Sequence, residues 1–153
     1  MIDTSRQDNG LEHSIGFHMG VTYRKLSGLL QHRLKAYDIT PDQWSVLYQV
    51  ERVGGLIQKD IAERAGKDRP TTTRILDQLE AKGFITKKAG EQDRRSFLVF
   101  ATKAGSDLIR RTVPVERKVI KDVKACMSEE EYHQLMGPLH RIGAHVNQLQ
   151  DRE

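Results

Sequence analysis

Along almost the whole chain hydrophobic residues recur at three- and four-residue spacing, and the period changes only once. That change covers the short β-type runs at 84–88 and 96–101, joined by the polar loop Ala89-Gly90-Glu91-Gln92-Asp93-Arg94-Arg95. Such a chain can only be a mostly helical domain interrupted by one β-hairpin. Before the hairpin, Leu11, Ile15, Met19, Thr22, Leu26, Leu29, Leu30 and Leu34 make a single apolar stripe, which predicts one long helix ending near Tyr37. Thr40-Pro41-Asp42-Gln43 reads as the next helix start: the threonine caps, the proline needs no N–H in the first turn, and Gln43 closes a capping box. Trp44, Leu47, Val50 and Val53 give that helix its buried face, and Gly54-Gly55 ends it.

A short helix from Gln58 to Ala65 follows, then a turn at Gly66, then a helix capped by Asp68 with Pro70 in its first turn. In this second helix Ile75, Leu76 and Leu79 face inward, while Thr71, Thr72, Thr73, Arg74 and Gln78 are read as its polar face. Beyond the hairpin, Thr102 caps a helix carrying Leu108, Ile109, Val113, Val119 and Val123, with a kink or break expected at Pro114. Ser128-Glu129-Glu130-Glu131 opens the last helix as a capping box.

At 153 residues the chain is one domain or two small lobes sharing a core. No apolar run approaches the roughly 20 residues of a bilayer crossing, so no membrane partner is expected. The first ten residues lack the basic, apolar, small-residue order of a secretory signal, which points to the cytoplasm. One cysteine, Cys126, excludes an intrachain disulfide and a four-cysteine zinc site. Six histidines, among them His13 and His18 five residues apart, form no compact ligand motif, so no metal is assigned. Neither a nucleophile with motif context nor a glycine-rich phosphate loop is present, so no catalytic residue and no cofactor is assigned either.

The net charge is +4, and its location matters more than its size. From Arg64 to Arg95 nine basic residues face five acidic ones, so this segment alone carries nine minus five, or +4. A charge run is usually just a solvated face. Here it coincides with a short helix, a glycine turn and a second helix with a small polar N-terminal face, the layout of a helix-turn-helix. Arg69, Pro70, Thr71, Thr72, Thr73 and Arg74 would then lie at the major groove, where hydroxyls can bond phosphates or base edges, a threonine methyl can touch a thymine methyl and arginine can grip guanine. On the hairpin, Lys88, Arg94 and Arg95 are the candidate contacts, the adjacent arginines reaching the minor groove and Asp93 holding the Arg95 guanidinium.

These residues resemble the multiple antibiotic resistance regulator (MarR) family of winged helix-turn-helix transcription factors. The resemblance runs from about Leu11 onward and is most specific in Asp68-Arg69-Pro70-Thr71-Thr72-Thr73-Arg74-Ile75-Leu76-Asp77-Gln78-Leu79-Glu80-Ala81-Lys82-Gly83-Phe84-Ile85, and in Asp93-Arg94-Arg95-Ser96 followed by Thr102-Lys103-Ala104-Gly105. Ile57 departs from the family's usual serine or threonine cap, and Ala101 from its usual leucine. The resemblance implies a homodimer on a pseudo-palindromic operator in double-stranded DNA, and a repressor released by a small, often aromatic or phenolic, effector. It also implies an effector pocket that Trp44 and Tyr48, four apart on one helix, would line.

Dimerisation also follows from the stripes on the first and last helices, which are longer than a compact winged domain needs. The fold expected is therefore mostly α with a small β-hairpin wing: a winged helix-turn-helix with long N- and C-terminal dimerisation helices. Residues 1–10 form a disordered tail, 11–37 and 103–150 the dimerisation helices, and 40–102 the DNA-binding lobe. Two rivals remain at the level of sequence: a winged-helix protein-interaction module, whose binding would ignore salt, and an activator or non-specific DNA binder, which unrelated duplex would compete away.

Overall fold

Residues 10–90 and 96–153 are described in the computed structural model. Where the stripe predicts one helix from Leu11, Ser14 divides it. Its hydroxyl accepts the Phe17 N–H at 3.3 Å, so a 3-10 turn, Leu11–His13, precedes helix α1 at Ile15–Leu34. A second 3-10 turn, Lys35–Tyr37, closes on Asp38, whose φ of 53° turns the chain into α2, Pro41–Arg52. The predicted capping box is formed: Thr40 Oγ1 accepts the Gln43 N–H at 3.1 Å and Gln43 Oε1 accepts the Thr40 N–H at 3.2 Å.

The sheet has one strand more than the periodicity predicts. Leu56–Ile57 forms β1 and pairs antiparallel with β3, Phe97–Ala101, which also pairs with β2, Ile85–Ala89, in the order β1-β3-β2. Between β1 and β2 lie α3, Gln58–Ala65, and α4, Arg69–Ala81. Gly66, at φ 65°, ends α3 in the left-handed conformation that glycine adopts without a Cβ penalty. After the hairpin come α5, Lys103–Lys124, and α6, Glu129–Gln150. Of the kink or break expected at Pro114, the break is absent: α5 runs unbroken through it.

Two compact units divide at Val115 and Glu116. In the first, Leu34, Val46, Leu47, Val50, Ile61, Ile75, Leu76, Leu79, Ile85 and Val99 form the core, joined by Leu108 and Ile109 of α5. Trp44 belongs to this core, and its indole N–H donates to Thr112 Oγ1 at 2.8 Å while the Thr112 hydroxyl donates to the Leu108 carbonyl at 2.7 Å. The start of α5 is pressed against the turn before β2. A Cβ on Gly105 would stand 2.1 Å from the Phe84 carbonyl oxygen, so only glycine fits.

The second unit buries little. Val119 is covered, but α6 has no buried residue, and Leu135, Val146 and Leu149 keep 46%, 44% and 45% of their surface exposed. The predicted capping box at Ser128 and Glu131 is present. In the first unit, the N-terminal half of α1 is similarly uncovered, with Ile15 62% and Tyr23 57% exposed.

Candidate nucleic-acid interface

Asp68 starts the interface. Its carboxylate accepts the Thr71 N–H at 2.8 Å, and that bond, then the Thr71 hydroxyl, with a smaller contribution from the Arg74 charge, hold its pKa below the ordinary carboxylate value. An ionised cap at the positive end of α4 fixes the first turn. That turn presents Arg69, Pro70, Thr73 and Arg74 to solvent, with Thr71 half-buried. Thr72 is a correction: it is fully buried, its hydroxyl donates to the Asp68 carbonyl at 2.8 Å, and it cannot reach a groove. The reason is helical geometry. Thr72 stands three, four and seven residues before Ile75, Leu76 and Leu79, so it extends their buried face.

The angle of α4 is set by groups that read in the sequence only as caps or charges. Gln43, 6% exposed, donates through Nε2 to Gln78 Oε1 at 3.1 Å and accepts from Lys82 Nζ at 3.0 Å. Lys82 also donates to the Asp38 carbonyl at 2.7 Å, so one buried amide ties the start of α2 to the last turns of α4. The turn between α3 and α4 is held to α2 by the Lys67–Asp42 pair at 2.8 Å, and Lys87 of β2 reaches Asp77 of α4 at 2.6 Å. Three of the nine cations of the basic segment, Lys67, Lys82 and Lys87, are thereby committed to the fold. Arg64, Arg69 and Arg74 form no salt bridge among the described residues, which leaves them available to a polyanion. At the N-terminal end of α3, Gln58 makes a contact that no sequence motif marks: its amide donates to Thr73 Oγ1 and, at 3.4 Å, to the Arg69 carbonyl.

On the hairpin, Lys88 is exposed on β2 with its ammonium 5.0 Å from the Phe100 ring centre. Asp93, Arg94 and Arg95 lie outside the described residues. The expectation that Trp44 lines an effector pocket is corrected in part: Trp44 is a core residue, 8% exposed, with its N–H already bonded. Tyr48 is half-buried and stacks on Trp44 at 5.1 Å with an interplanar angle of 18°, and the Arg52 guanidinium lies 5.6 Å from its ring centre. Among the described residues no group of three or more His, Cys, Asp or Glu can hold a metal ion, and no helix is long and apolar enough to cross a membrane.

Comparison with known proteins gives the same architecture. The chain is similar to the transcriptional regulator SlyA, at 27% identity over 88% of this chain and 95% of that one, with a TM-score of 0.81. It is also similar to MepR of S. aureus, solved as a complex with DNA, at 23% identity over 86% and 97% of the two chains and a TM-score of 0.78. A third similar structure is BpsR of Bordetella bronchiseptica, whose DNA binding is regulated by 6-hydroxynicotinic acid, at 19% identity over 84% and 98% and a TM-score of 0.78. Residues 39–97, from the residue before the α2 cap to the start of β3, match the family model of the MarR family, whose members are transcription regulators and not enzymes. The chain thus carries a domain that matches the MarR family model, within a fold that it shares with the transcriptional regulator SlyA.

Proposed function

We propose that this protein is a homodimeric, sequence-specific repressor acting in the cytoplasm on a pseudo-palindromic operator, and that a small aromatic or phenolic molecule releases it. The observation that carries the reading is the first turn of α4, capped by an ionised Asp68 and presenting Arg69, Pro70, Thr73 and Arg74 beside a basic hairpin. In the proposal α4 enters the major groove, Arg69 and Arg74 grip phosphate or guanine, Lys88 and Arg94 add backbone contacts, and Arg95, oriented by Asp93, enters the minor groove. The uncovered stripes of α1 and α6 pair with a second copy, which sets two recognition helices about 34 Å apart, one turn of DNA.

The effector acts through differential affinity for two states of the dimer. A ligand that binds better to the state whose α4 spacing mismatches the groove lowers operator affinity by that preference and no more. The proposed seat is beside Tyr48, whose ring is backed by Trp44 and neighboured by the Arg52 cation, a pairing suited to an aromatic acid. The regulation of BpsR by a hydroxylated aromatic acid supports this class of ligand.

The test is a titration of the protein against the DNA upstream of its own gene, at two salt concentrations, with excess unrelated duplex present. Tight binding that survives the competitor and falls steeply with salt is the expected result. Binding removed by the competitor, or indifferent to salt, would overturn it.

A further inference from the structure

A threonine hydroxyl has one proton to donate and two lone pairs to accept with. In the first turns of α4 the hydroxyl protons of Thr72 and Thr73 are engaged within the chain. Thr72 donates to the Asp68 carbonyl at 2.8 Å and Thr73 to the Arg69 carbonyl at 3.0 Å. Thr73 Oγ1 also accepts from Gln58 Nε2, which occupies one of its lone pairs and holds the hydroxyl against its own helix. Phosphate oxygens, guanine N7 and O6, and thymine O4 all accept and never donate. To bond any of them Thr73 would have to surrender its bond to Arg69, exchanging one hydrogen bond for another without net gain. Donation beside Thr73 is therefore left to the guanidinium groups of Arg69 and Arg74.

What Thr73 has left free is one lone pair and its methyl group. It also borders a cavity of about 380 Å³ whose walls include Ile57, Leu76, Val99 and Phe97, with Phe97 51% exposed, so the surface next to it is apolar. Thymine is the base that shows a methyl group in the major groove. We propose that Thr73 reads a thymine methyl by apolar contact, with Gln58 as the positioning residue that keeps its hydroxyl turned away from the DNA. This specificity rests on the DNA-binding reading above and narrows it: of the three threonines, one is a base reader, and it works without donating a hydrogen bond.

The protein selects its preferred duplex from a random-sequence library, and each thymine of that duplex is then replaced in turn by deoxyuridine, which lacks only the 5-methyl group. The expected result is one thymine per half-site whose replacement weakens binding about three- to fivefold, the size of losing one methyl from an apolar contact. Thr73→Val, which keeps a methyl and removes the hydroxyl, retains that sensitivity; Thr73→Ser, which keeps the hydroxyl and removes the methyl, loses it. Wild-type affinity unchanged at every replaced thymine would overturn the proposal, as would undiminished sensitivity in Thr73→Ser or its loss in Thr73→Val. Failure to enrich any duplex would instead overturn the DNA-binding reading itself, and this inference with it.

Discussion

The winged unit and the helices that flank it use the same amphipathic pattern to opposite ends. In α2, α3 and α4 the apolar stripe is consumed within the chain, with Val46, Leu47, Val50, Ile61, Ile75, Leu76 and Leu79 between 0% and 2% exposed. In α6 the stripe is just as regular, yet no residue is buried, and the N-terminal half of α1 is open as well. A periodic stripe thus says that a helix will bury one face, not against what. The difference separates two jobs: the winged unit holds its own shape, and in the proposed dimer the stripes of α1 and α6 are kept for a second copy.

The sharpest way to break this division is to charge one region and watch the other. Leu135→Glu combined with Leu149→Glu should split the dimer and lower operator affinity about a hundredfold or more, since each monomer then keeps only one half-site. Gel filtration and operator titration would show both losses, while the thermal transition of the winged unit should persist. If that transition vanished too, the division would be wrong.

The converse changes strike inside the unit. Gly105→Ala forces a Cβ onto the Phe84 carbonyl, and should cost about 1–3 kcal/mol in urea unfolding because backbone yields poorly to overpacking. Thr112→Val leaves the buried Trp44 N–H without an acceptor and should cost about 1–2 kcal/mol, with no change in DNA salt dependence. Arg95→Ala should lower operator affinity about tenfold and reduce the slope of log affinity against log salt by about one, without touching stability. An unchanged slope would remove Arg95 from the proposed contacts.

The smallest effect is on pH. Because the folded-state pKa of Asp68 is lowered, its contribution is present above the pKa of the unfolded chain and is lost as pH falls through the folded value. Thermal melts of Asp68→Asn, which still caps without titrating, should therefore lose less between neutral and acidic pH than those of the native protein. Parallel curves would show that Asp68 adds nothing through its charge.

Much of the fold is legible in the sequence because it depends on local chemistry. The reciprocal bonds of Thr40 with Gln43 and of Ser128 with Glu131, the cap at Asp68 and the turn at Gly66 each involve a few adjacent residues, so the residue types alone locate them. Strand β1 has no such mark, since two residues show no period; it exists only through its pairing with Val99 and Leu98. Ser14 is hidden by a stripe that continues across it, although a serine before a helical run is itself a cap signal.

The site is less transparent than the fold. Three identical threonines in a row look equivalent, and only projecting the stripe of Ile75, Leu76 and Leu79 backwards separates buried Thr72 from exposed Thr73. That signal is present in the sequence. The Gln58 and Gln43 contacts leave none, because they join residues 15 and 35 positions apart with no local mark.

The most direct test of the division between the two regions is sedimentation of the protein with and without its operator duplex. The expected result is a dimer at micromolar concentration and a complex of two chains on one duplex. A chain that sediments as a monomer when free and binds a whole operator one to one would contradict it.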